Sequence, residues 1–152
     1  MHAGAIGRTR EERVAQVRAG TDPSIRDAST YVPVDGVVAK LRRWYEQGAE
    51  IEYLTANRDP GSIAADEGVL ERHRFPPGRV LARGPGETYG DVAARAAPDV
   101  LIEDDCESVG GAAQMTHPQL PPELRERIAS IVVQEFGGLD HLPDSPERLP
   151  DA

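Results

Sequence analysis

Val100-Leu101-Ile102-Glu103-Asp104-Asp105-Cys106 is the stretch that decides the fold, because an apolar run passes directly into three consecutive carboxylates. Aliphatic residues in a row read as a strand buried on both faces, and the acids then form its carboxyl-terminal tip. Carboxylates so placed repel one another unless one is protonated or a cation sits between them, and an all-oxygen donor set favours Mg²⁺. A solvated acidic loop after a buried strand has the same spelling. The surroundings of the strand discriminate between the two.

Upstream, Thr88 to Ala97 reads as a helix that turns Tyr89, Val92, Ala93 and Ala96 inward and stops at Pro98. Arg79-Val80-Leu81-Ala82 predicts a short strand between Pro76-Pro77-Gly78 and Gly84-Pro85-Gly86. Asp59-Pro60 announces another helix, with a thin stripe at Ile63, Glu67 and Leu70. Glu50 to Thr55 is β-branched or aromatic at alternate positions and predicts a strand. Before it, Val34, Val37, Val38, Leu41, Trp44 and Tyr45 fall on one helical stripe, Lys40, Arg42, Arg43 and Glu46 lie elsewhere, and Gly48 supplies the stop.

Downstream of the acids, Gly110-Gly111 and the proline-rich 117–122 stretch form a long connection, Glu123 to Ile128 a short helix, and Ala129 to Val133 a last strand. Helices alternating with short apolar strands imply an α/β fold with a mostly parallel, Rossmann-like sheet and flanking helices. Ligand chemistry in such sheets gathers at the carboxyl ends of the strands. Both polar clusters, Thr55-Ala56-Asn57-Arg58 and Glu103-Asp104-Asp105, fall at such ends.

The flanks are different in kind. Thr9-Arg10-Glu11-Glu12 has capping-box spacing and opens a short helix over 10–19 that ends at Gly20, while 21–33 reads as a loop. Residues 1–33 are therefore an N-terminal helical arm or small cap-like insertion, 34–136 the α/β core, and 137–152 a Pro/Asp-rich tail expected to be loosely ordered.

With 152 residues the chain builds one core, and a net charge of −9 argues against nucleic acid or an anionic membrane as partner. No run reaches the roughly 20 apolar residues of a membrane span. The N-terminus lacks the apolar core of a signal peptide, and the one cysteine, Cys106, has no internal partner, so a cytoplasmic location is expected. Lys40 is the single lysine among 17 basic residues. Cys106 follows the acids, whose field opposes a thiolate. His73, His117 and His141 lack ligand spacing and read as surface residues, as does Asp140 beside His141. Trp44 and Tyr45 read as core packing.

Residues 34–136 resemble the haloacid dehalogenase superfamily, whose members are mostly Mg²⁺-dependent phosphohydrolases. Tyr53-Leu54-Thr55 matches its second motif, a strand ending in a hydroxyl that holds phosphoryl oxygens, and Leu101 to Asp105 matches its fourth, a strand ending in paired acids that hold the metal. The resemblance implies a phosphate site at Thr55, Ala56, Asn57 and Arg58, a metal site at Asp104 and Asp105, Mg²⁺ as cofactor, and a small phosphorylated molecule as substrate. The third-motif lysine has no counterpart, since Gly90 lies near its expected place; Arg83 or Arg58 is the stand-in.

The first motif, an apolar strand ending in Asp-x-Asp with the nucleophile as its first acid, has no match between Met1 and Pro33. Asp22 and Asp27 neither end a strand nor precede a second acid at the right spacing. The expectation is a chain lacking the central first strand of a 3-2-1-4-5 sheet, with little or no turnover of its own. A non-catalytic phosphate or nucleotide binder is the alternative. A flavodoxin-type phospho-acceptor domain fits less well, because its acids belong at the first strand and its lysine at the last.

Overall fold

The computed structural model describes residues 1–151. Within them lie α1 (Arg10–Ala19), α2 (Val37–Glu46), β1 (Tyr53–Leu54), α3 (Pro60–Arg72), β2 (Val80–Leu81), α4 (Tyr89–Ala96), β3 (Val100–Asp104), α5 (Pro122–Arg125) and β4 (Ala129–Val133). The chain is mixed α/β. Both strand pairings are parallel, β1 with β2 across α3, and β3 with β4 across the 105–128 connection. No backbone ladder joins the two pairs among the described residues, so the sheet consists of two separate two-stranded halves.

The helix ends follow their sequence signals closely. Thr9 and Glu12 close a capping box on α1, Thr88 and Asp91 close another on α4, and Asp59 accepts from Ser62 N–H with Pro60 in the first turn of α3. Each satisfies backbone donors that a bare helix start leaves open, worth about 1 kcal/mol apiece. Gly20 ends α1 in the left-handed conformation.

The strand expected over 50–55 shortens to Tyr53–Leu54, although Thr55 N–H still donates to Leu81 O at 2.9 Å. Gly78 explains the tight entry to β2: a Cβ there would lie 2.0 Å from Ile51 O, so only glycine lets these backbones meet. Gly90 on α4 plays the same part, because its Cβ would lie 2.2 Å from Gln119 O. A basic side chain at that position is sterically excluded.

A small buried cluster lies on the β3 side, where Ala93, Leu120 and Ile128 pack together with Leu101 and Leu124 against them, while Ala5, Val14 and Trp44 are buried outside it. None of the residues of β1, β2 or β3 is fully buried. Tyr53 and Phe75 meet edge to face, ring centroids 6.0 Å apart, on the β1–β2 side.

Two expectations about α2 and the tail are corrected. Lys40, read as off the inward stripe, is 8% exposed, whereas Tyr45, read as packed, is 44% exposed. The cause is the tail, which is docked: Lys40 Nζ donates to Leu142 O and Asp144 Oδ1, both at 2.7 Å, and Trp44 Nε1 donates to Pro143 O at 2.9 Å. Leu139, earlier in the same tail, is buried as well. Helical periodicity could not show that a tail a hundred residues away roofs the Lys40 side of α2.

Candidate functional site

Thr55 stands immediately after β1, as its place at a strand end requires. Its hydroxyl accepts Asn57 N–H at 3.1 Å and donates to Asp66 Oδ2 at 2.5 Å, and Asn57 Nδ2 donates to the same oxygen at 2.8 Å. Asp66 projects from α3, so strand end and helix are tied through one carboxylate. This cluster borders a cleft of about 240 Å³ walled by Tyr31, Tyr53, Leu54, Asp66 and Val69. Burial raises the Tyr31 phenol above its usual value, with the Asp66 charge adding to it.

An anion at Thr55 would have to displace Asp66 from the hydroxyl and then face its negative charge. The geometry therefore holds the hydroxyl closed toward an acid. Ala56 and Arg58 are exposed. Arg83 lies elsewhere, its guanidinium carbon 3.8 Å from the centroid of the Tyr89 ring and its Nε buried without a hydrogen-bond partner. Cation–π contact rather than an anion engages it here. Neither Arg58 nor Arg83 lines the cleft, and neither do Asp104 and Asp105.

The acids after β3 are compensated by the protein itself. Glu103 accepts from Thr116 and His117 N–H and so anchors the following connection. Asp104 Oδ1 accepts Cys106 N–H at 2.8 Å. Asp105 Oδ1 accepts Glu135 N–H at 3.2 Å and Glu107 N–H at 3.3 Å, while its Oδ2 faces Arg10 Nη2 at 3.5 Å. Arg10 reaches Glu107 Oε2 as well, at 2.7 Å, and Arg18 reaches Glu107 Oε1 at 3.2 Å. Glu135, itself buried, accepts from Ser108 N–H at 2.7 Å and Ser108 Oγ at 2.5 Å.

Mg²⁺ needs several oxygens arranged close to an octahedron. Here backbone donors take one oxygen of each aspartate, and a guanidinium stands at the other oxygen of Asp105. Among the described residues no three His, Cys, Asp or Glu side chains converge as a metal-ligand group. This arrangement of Asp104 and Asp105 does not fit a magnesium site. The thiol of Cys106 is pushed up to about 12, by burial and then by Asp104 beside it.

Four residues that matter here escaped the sequence reading: Arg10, Arg18, Asp66 and Glu135. Asp66 alone left a signal, since Ile63, Asp66 and Leu70 follow helical spacing and place an acid within the inward stripe of α3, whereas Glu67 is exposed. The chain matches no known protein family, no characterised protein and no solved structure.

Proposed function

We propose that this chain is a phosphohydrolase-like protein of the haloacid dehalogenase type, which binds phosphate at the carboxyl end of β1 and does not hydrolyse phosphate esters by itself. The observation that carries the reading is topological. Two parallel pairs present Thr55 and Asp104 at carboxyl strand ends, and the ladder is interrupted between the pairs, where the resemblance calls for a further strand bearing the nucleophile.

Phosphate would be received by the Thr55 hydroxyl and the N–H groups that follow it, once Asp66 is released. In intact relatives a carboxylate attacks phosphorus and a second one moves the proton. Asp104 is the only acid that ends a strand among the described residues, and it is turned to its own backbone. A bound Mg²⁺ would add charge neutralisation at the phosphoryl group; in the present arrangement Asp104 and Asp105 do not hold it.

Calorimetric titration with inorganic phosphate, together with a p-nitrophenyl phosphate assay, tests the reading. The expected result is phosphate binding that weakens at least tenfold in Thr55→Val and tightens in Asp66→Asn, with no turnover. Absence of phosphate binding removes the family reading, and turnover abolished by Asp104→Asn removes the claim of inactivity. A second reading, a binder outside any hydrolytic system, is favoured by the seating of Arg10 on Asp105. A synthetic strand ending in Asp-x-Asp separates the two, because it restores turnover only under the first.

A further inference from the structure

Asp66 is the one charged side chain that lines the cleft beside Thr55, and no basic residue lines it. It is partly buried and joins no salt bridge among the described residues. Its Oδ2 accepts from the Thr55 hydroxyl at 2.5 Å and from Asn57 Nδ2 at 2.8 Å, both neutral donors, whereas its Oδ1 accepts no hydrogen bond from the described residues. Tyr31 and Tyr53 line the same cleft with their donors spent, Tyr31 Oη on Ile25 O at 2.7 Å and Tyr53 Oη on Pro76 O at 2.8 Å, so aromatic surface is what they offer a ligand. Leu54, Val69 and Val80 make the remaining wall apolar. A carboxylate without a counter-charge in such surroundings is costly, and an ammonium group answers it twice, by ion pairing and by attraction to the tyrosine rings. A hard metal ion would need several oxygens where the cleft presents a single carboxylate among apolar walls.

We propose that the ligand of this site is a phosphate monoester that carries an organic ammonium group, with its phosphate at Thr55 and its ammonium on Asp66 beside Tyr31 and Tyr53. The proposal rests on the phosphate reading and adds the other end of the ligand. Bare phosphate must prise Asp66 from the Thr55 hydroxyl and then face its charge. A ligand with its own cation gives Asp66 a new partner as it takes the hydroxyl, so each end eases the binding of the other. The cleft of about 240 Å³ equals about eight waters at roughly 30 Å³ each, which admits a short aminoalkyl chain.

The test is calorimetric titration of the full chain with 2-aminoethyl phosphate, with propyl phosphate, which puts a methyl in place of the ammonium, and with inorganic phosphate. The parent chain is expected to bind 2-aminoethyl phosphate at least tenfold more tightly than propyl phosphate, a comparison that needs no variant to fold. Asp66→Asn keeps an acceptor for the Thr55 hydroxyl and removes the charge, so it is expected to cancel the preference while tightening propyl phosphate. Equal affinity for the two esters in the parent chain overturns the proposal. A preference that survives in Asp66→Asn overturns it as well, because the net negative charge of the chain then accounts for the effect. Binding of inorganic phosphate and propyl phosphate without a preference for the amine removes this proposal alone. Failure of all three ligands to bind removes the phosphate reading, and this proposal with it.

Discussion

At the level of single residues, Cys106 shows how neighbours in sequence fix chemistry. It sits at φ 50° directly after the acids, with its thiol 3.7 Å from Asp104 O. A thiol held at about 12 is almost wholly protonated at pH 8. Alkylation by iodoacetamide at that pH should run about a thousandfold slower than for free cysteine, whose usual value is near 8.5. A rate like that of free cysteine would contradict the assignment. That opposition was legible in the bare sequence because Asp104 and Asp105 precede Cys106 in the chain. The partners of Asp105 and Lys40 were not: Arg10 lies 95 residues from Asp105, and Asp144 lies 104 from Lys40. Local spelling carries no information about pairs that only tertiary docking creates. Thr55 was read correctly as a strand-end hydroxyl, yet its occupation by Asp66 required knowing how α3 lies on β1.

Among the elements, those with chemical punctuation were readable and those without were not. Thr9, Asp59 and Thr88 named their helix starts because an oxygen at that place accepts an otherwise orphaned N–H. The strand expected over 50–55 reduced to two residues, since alternation marks a face and not the length of a ladder. The helix expected over 123–128 spans Pro122–Arg125, although Ile128 N–H still reaches Leu124 O at 3.0 Å. Helix α4 ends on a weak device: Ala97 occupies the left-handed region, φ 48°, where its Cβ is strained. Ala97→Gly should therefore raise stability by about 0.5–1 kcal/mol in urea unfolding. A loss of stability would mean that the Ala97 methyl packs usefully, against this account.

For the molecule as a whole, the docked tail matters most, because it closes over the only tryptophan. The Lys40 ammonium, and Arg43 with it, hold the Asp144 carboxyl below the usual carboxylate range. A carboxyl with a folded value below its unfolded one stabilises the docked state above the unfolded value, near 4, and that contribution is lost as pH falls through the folded value. The emission of Trp44 should shift to the red as the solution is acidified below pH about 4, and Asp144→Asn should abolish the pH-dependent part. An unchanged acid transition in that variant would assign the effect to other groups. The accessible surface, 8819 Å², exceeds the roughly 7,500 Å² usual for a folded monomer of this mass, in keeping with strands that are only half covered.

The enclosure of Lys40 has a consequence for how the exterior can be modified. The exposed permanent side-chain cations of the described residues are guanidinium groups, so acetylation, carbamylation and ester-activated labels find no accessible lysine amine. The outer charge pattern is consequently insensitive to the acyl chemistry that alters lysine-rich surfaces, and its positive part persists to high pH.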